Sequence, residues 1–164
     1  VADGTKRNHL LTFQGTNRML VNKGFAYLHQ GESLTALDRV PYAARQAEKR
    51  QLLGKQVAIA KKLKSRKNDQ ALKAEHAELG KQVQRITAEL PKFFKWKIPC
   101  KHPIGFAMGG NSLYVGGNGI VQAYDATNGE ALWSAKIEGR GYGLAISNGR
   151  LLVSTDKGYI HCFE

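Results

Sequence analysis

Three stretches of this 164-residue chain repeat one short pattern at matching distances, and that repetition restricts the fold more than any other feature. The clearest copy is Ala123-Tyr124-Asp125-Ala126-Thr127-Asn128-Gly129-Glu130-Ala131-Leu132-Trp133. It reads as strand, tight turn, strand. Asp125, Asn128 and Gly129 are turn residues, and Gly129 takes positive φ without steric cost. Trp133 closes the hairpin with a large ring that needs burial. Upstream, Leu113-Tyr114-Val115 matches Ala26-Tyr27-Leu28 and Leu151-Leu152-Val153. Leu28 to Leu37 and Val115 to Tyr124 both span 9 positions, and Val153 to Phe163 spans 10, one residue more in the turn. Leu37 and Tyr124 are each followed by aspartate, Asp38 and Asp125, whereas Glu164 follows Phe163.

The tryptophans extend the alignment. Trp96 to Tyr114 spans 18 positions and Trp133 to Leu152 spans 19. Trp133 follows Asp125 by 8 residues, but Trp96 follows Asp38 by 58. The extra residues lie where the other copy has its turn. They read as an insertion, and the close ends of a hairpin turn are where one is tolerated.

The insertion has a different period. Pro41 suits the first turn of a helix. Tyr42 to Lys67 holds a single glycine, Gly54, and apolar residues at Leu52, Leu53, Val57, Ile59, Ala60 and Leu63. Asn68-Asp69 breaks the run, and either residue suits a cap. Leu72, His76, Leu79, Val83, Ile86 and Leu90 then form a heptad seam that Pro91 stops. The expectation is an antiparallel helical hairpin over 41–91, a narrow-seamed coiled coil projecting as an exposed arm.

Outside the arm, short strands separated by Gly, Asn, Ser or Asp recur with a period of about 39 residues, four strands to a unit, the signature of a β-propeller blade. The expected fold is mainly β with an inserted α-helical hairpin. Residues 1–40 and 92–164 form about three blades: Arg18–Asp38 with Phe93–Ile98, Ile104–Ile137, and three strands in Gly143–Phe163. That is too few to close a propeller. His9–Phe13 reads as a further strand able to complete a three-stranded blade, in this chain or a partner. Val1–Arg7 reads as frayed.

Ala123-x-Asp125-x-x-x-Gly129-x-x-x-Trp133 resembles the docking motif of the PQQ-like (pyrroloquinoline quinone-type) β-propeller repeat family. In the family motif a threonine directly precedes the glycine; here Asn128 stands there and Thr127 one place earlier. The resemblance covers roughly 9–40 and 92–164 and leaves the arm out. It implies that Trp96, Trp133, Asp38, Asp125 and Gly129 dock one blade on its neighbour. The family includes quinoprotein dehydrogenases and non-enzymatic scaffold propellers. The resemblance alone favours an extracytoplasmic, periplasmic location.

The chain carries a formal charge of +12. Fifteen of its 25 Lys and Arg, but only five of its 13 Asp and Glu, lie between Pro41 and Lys97. The excess therefore belongs to the arm, around Lys61, Lys62, Lys64, Arg66 and Lys67. Such lysines can simply cover the flanks of a solvated hairpin. The sharper alternative is electrostatic docking on an acidic protein, anionic lipid or nucleic acid. The arm lacks the aromatic interleaving of single-strand binders and its charge is not striped on one face. A protein partner is favoured over nucleic acid.

Catalytic patterns are sparse. Cys100-x-His102 and His161-Cys162 have no partners at metal-site spacing. Gly139-Arg140-Gly141-Tyr142-Gly143 superficially resembles a phosphate loop but lacks the following helix, and reads as a flexible strand connection. Asp38, Asp125 and Asp156 sit at turns, where aspartate belongs. Cys100 and Cys162 allow one disulfide, though two buried free thiols are the expectation. No apolar run is long enough to cross a membrane. The chain starts at Val1 without a secretory signal, suggesting a mature product or an excerpt of a longer chain. Two functions compete. The first is a non-catalytic propeller segment without cofactor, a scaffold or interaction module that self-associates through its edges or docks partners by its arm. The second is one part of a larger quinoprotein-type or multidomain enzyme whose active site lies elsewhere.

Overall fold

Alternating apolar residues between glycine-bearing turns become ten antiparallel strands in the structure, a computed structural model that describes residues 11–102 and 104–164. The chain divides into a helical unit, Arg39–Phe93, and a β unit, Phe13–Asp38 with Phe94–Glu164.

In the β unit, β1 (Thr16–Asn22), β2 (Phe25–Gln30), β3 (Ser33–Asp38) and β4 (Phe94–Pro99) form a four-stranded sheet in that order. The second sheet has six strands: β5 (Gly105–Gly109), β6 (Ser112–Gly116), β7 (Asn118–Asp125), β8 (Ala131–Ser147), β9 (Arg150–Thr155) and β10 (Ile160–Phe163). The repeat is visible in the register. Trp96 stands opposite Ala36 and Trp133 opposite Ala123, each beside a bulge one step further on. Leu28 pairs with Thr35, Val115 with Gln122 and Val153 with His161. The longer third turn is therefore absorbed without shifting the pairing.

Two apolar clusters hold the unit together. Tyr27, Leu34, Ala36, Cys100, Leu113, Val115, Tyr124 and Ala126 join the two sheets, with Phe25, Trp96 and Met108 packed against them. Val121, Ile137, Leu151 and Val153 fill the second cluster with Tyr114, Trp133 and Phe163. At ~25 cal/mol per Å² removed from water, such face-to-face burial is the main stabilising term.

The structure corrects several expectations. Gly139–Gly143 is not a loose connection: β8 runs through it, pairing with β7 before it and with β9 after it. A Cβ at Gly139 would strike the Asp156 carboxylate, one at Gly141 the Ile137 side chain and one at Gly143 the Ser154 hydroxyl; opposite them, Gly105 and Gly116 leave room for the Gly141 carbonyl. Leu11–Phe13 is not strand, and the rest of the His9–Phe13 expectation, like Val1–Arg7, lies outside the described residues. Cys162 is exposed, not buried; Cys100 is buried, and both are free.

In the helical unit, α1 (Arg39–Ser65) begins two residues before Pro41. The proline is its third residue, still among the first four, whose N–H groups have no helical acceptor. The break before α2 (Gln70–Glu89) is four residues, 66–69, not two. Asp69 caps α2, its side chain accepting from the Leu72 N–H at 3.1 Å. The helices run antiparallel: Arg45 reaches Glu89 at 3.4 Å, and Gln56 donates to the His76 carbonyl at 3.4 Å. Ile59, Leu79, Ile86 and Leu90 are buried between them, while Leu53 and Val57 are exposed. A 3₁₀ turn, Leu90–Phe93, follows, where Phe93 meets Tyr42 edge-on with ring centres 6.5 Å apart. No helix among the described residues is long and apolar enough to cross a membrane.

Candidate functional site

The turn between β7 and β8 is built by its own side chains. Asp125 accepts from the Thr127 N–H at 2.6 Å, and Asn128 accepts from the Glu130 N–H at 2.9 Å. The Gly129 N–H donates to the Asp125 carbonyl at 2.8 Å, with Gly129 at φ 79°. Asn111, in the β5–β6 turn, donates to Asp125 at 3.2 Å and to the Thr127 hydroxyl at 2.9 Å. The Thr127 amide, above all, holds the Asp125 carboxyl below its ordinary range, because it donates to the charged form.

Trp96, on β4 of the other sheet, reaches this turn. Its indole Nε1–H donates to the Ala126 carbonyl at 3.1 Å. A Cβ on Gly129 would lie 2.8 Å from the indole Cε3, so only glycine lets the ring sit there. Trp133 repeats the tyrosine contact, 6.1 Å from Tyr114 as Trp96 is from Tyr27, and its ring also meets Phe163 at 5.7 Å. Asp38 bonds no turn of this kind and instead meets Lys95 at 3.7 Å. Of the five expected docking residues, the structure brings together Trp96, Asp125 and Gly129; Trp133 and Asp38 stand elsewhere.

Beside the indole, a groove of about 840 Å³ opens within the β unit. Phe25, Tyr27, Trp96 and Met108 give it apolar walls, and Lys23 and Lys95 stand at its edge. The rings form a row: Phe25 and Tyr27 are stacked at 6.4 Å, and Tyr27 lies 6.1 Å from Trp96. Burial, helped by the Asp125 charge, raises the Tyr27 pKa and keeps its phenol neutral.

A second polar cluster lies deeper. Buried His29 bonds the Cys100 carbonyl through Nε2 at 3.0 Å. A carbonyl only accepts, so Nε2 carries the proton. Among the described residues, buried Nδ1 has no hydrogen-bond partner. Burial, only partly offset by that hydrogen bond, lowers the His29 pKa, and the nearby charge of His102 lowers it further. Burial also raises the Tyr124 phenol, with Cys100 adding to the shift. Among the described residues no group of three or more His, Cys, Asp or Glu stands together as a metal site would. The Arg140 N–H donates to Asp156 at 2.7 Å, so the glycine-rich segment is tied into the sheet rather than open to a phosphate.

In the helical unit, Lys61, Lys62, Lys64, Arg66 and Lys67 are all exposed around the hairpin tip. Among the described residues none of them joins an ion pair. The unit's pairs lie elsewhere, at Arg45–Glu48, Arg45–Glu89, Lys81–Glu78 and Arg85–Glu89.

A crystal structure of BamB from Moraxella catarrhalis aligns with a TM-score of 0.46 at 10% identity, over 88% of this chain and 35% of that one. This chain thus spans about a third of the length of that structure. No protein-family model and no curated protein matches the chain.

The sequence did not point to Asn111, Lys95 or His29. Asn111 looks like any turn residue until β6–β7 pairing carries it to Asp125. Lys95 is matched by Leu132 in the next repeat, and that difference was the one available signal.

Proposed function

We propose that this chain is a non-catalytic β-propeller segment, an interaction module whose antiparallel coiled-coil arm docks an acidic protein surface. On this reading β1–β4 is one blade, β5–β7 with the first part of β8 a second, and the rest of β8 with β9 and β10 three strands of a third. The observation that carries it is Trp96 bonded into the Asp125–Gly129 turn of the neighbouring sheet, in a register that Trp133 repeats. Such interlocked sheets give a rigid platform. The arm adds a tip of exposed cations, which steer an anionic partner and are screened by salt.

Binding of poly-L-glutamate, followed by fluorescence anisotropy, tests the arm. The chain should bind, more weakly as salt rises, and changing Lys61, Lys62, Lys64, Arg66 and Lys67 to Gln should abolish it. No binding in low salt, or tighter binding to a single-stranded oligonucleotide of equal charge, would overturn the acidic-protein reading. Adding PQQ with Ca²⁺ tests the rest: no absorbance change and no thermal shift are expected, and a saturable shift would favour a quinoprotein-type enzyme.

A further inference from the structure

The groove beside Trp96 has the makings of a small-molecule site. Its volume of about 840 Å³ falls within the ~300–1,000 Å³ typical of ligand sites. One wall is the row of rings Phe25, Tyr27 and Trp96, and Met108 stands among the other lining residues. The indole is fixed by its bond to Ala126 and its seat against Gly129, so the wall is formed before any ligand arrives.

The polar groups define the ligand's charge. The Asn111 amide is committed to Asp125 and Thr127, and the Asn22 amide donates to the Met108 sulfur at 3.4 Å. Two cations remain. Lys23 sits in the β1–β2 turn at φ 51° and joins no ion pair among the described residues. Lys95 is the extra residue of the bulge opposite Leu37, and its one pair, with Asp38 at 3.7 Å, has both side chains partly exposed. Such a pair is weak and yields readily to a competing anion. Among the described residues no carboxylate lines the groove, and Asp125, which stands next to it, is tied into its own turn. Aromatic rings alone would also accept a cation, but two lysines at the edge oppose that.

We propose that this groove binds a small molecule with a flat apolar body and one anionic group, of the aromatic carboxylate or sulfonate class. The body lies along Phe25, Tyr27 and Trp96, and the anion lies between Lys23 and Lys95. This site is independent of the arm and of the interaction-module reading.

The test uses the full chain and 8-anilinonaphthalene-1-sulfonate, a dye of this shape and charge, with N-phenyl-1-naphthylamine as the same body without the anion. The dye should bind saturably at one site and quench tryptophan emission. The neutral analogue should bind roughly tenfold more weakly, the scale of two partly exposed charge contacts. K23M/K95M should erase that difference, while the five-residue arm variant should leave it intact. The substituted lysines lie at the surface, so a folded protein is expected, checked by unchanged circular dichroism. Equal affinity for the two dyes, or an affinity unmoved by K23M/K95M, would overturn the proposal and assign the binding to exposed apolar surface. Loss of the preference in the arm variant would overturn it in favour of the cationic tip.

Discussion

Gly129 carries two constraints at once, a positive φ and the indole of Trp96 where its Cβ would be. Gly149, at φ 77° in the β8–β9 turn, carries only the first, for nothing lies within 4 Å of its missing Cβ. Gly149→Ala should therefore cost about 1 kcal/mol, the ordinary penalty for a side chain at positive φ. Gly129→Ala should cost that plus the displacement of the ring, about 2–4 kcal/mol in all. Urea unfolding of the two variants separates the terms, and equal losses would mean that Trp96 is not tightly seated on the turn. His29 makes a prediction about pH. Its folded pKa lies below its ordinary value, so the folded state favours the neutral ring. That contribution is complete above about pH 6.5 and is lost as pH falls through the lower folded value. Physically, the added proton appears on Nδ1, which has no acceptor among the described residues. The urea midpoint should drop from pH 7 to pH 5, and His29→Gln should flatten the drop. His102, also depressed by burial, supplies the remaining slope. An unchanged slope in His29→Gln would place the titration elsewhere.

At the scale of elements, the hairpin of helices and the short strands were legible because their signals are local. The seam from Leu72 to Leu90 has helical spacing, Asp69 is a strong cap, and the β turns hold Gly or Asn. What could not be read depended on distant groups. Glycines usually break strands, yet β8 continues through Gly139–Gly143, where Asp156, Ile137 and Ser154 leave no room for a Cβ and distant Gly105 and Gly116 leave room for the Gly141 carbonyl. Asn111 needed the fold to bring it to Asp125, and the buried His29 needed the Cys100 carbonyl 71 residues away. Equal spacing makes Trp96 and Trp133 equivalent in register, each 6.1 Å from the matching tyrosine, but it does not show that Trp96 bonds the Ala126 carbonyl while Trp133 lies against Phe163. The arm itself can be tested as an element. Its base is the Leu37–Phe94 pair, where β3 and β4 are already joined. Replacing residues 42–90 by Asn-Gly should leave the β circular-dichroism signal in place and remove the helical one, since the eight residues then left between β3 and β4 form a loop whose closure costs little. Loss of both signals would mean that the helices are required for the sheet to form.

For the whole molecule, charge and the open sheet act in opposite directions. Among the described residues β10 pairs only with β9. One face of these strands alternates outward: Leu152 is 37% exposed, Ile160 73% exposed, and Cys162, opposite Leu152, is exposed too. An unpaired edge beside an apolar face is a template for pairing with another chain. The net charge of +12 resists that approach. Its reach falls from ~10 Å at 0.1 M salt to ~3 Å at 1 M. Self-association through this edge should consequently strengthen with salt, the reverse of docking by the basic arm. Light scattering at several protein concentrations, in low and in high salt, distinguishes the two. A discrete oligomer that grows with salt and reverts to monomer in Ile160→Lys would assign assembly to the β10 edge, because the new lysine charges the edge at the point of contact. An oligomer that dissolves with salt would instead require an acidic surface pairing with the arm. A monomer at every concentration would remove self-association from the function and leave the arm and the groove to act alone.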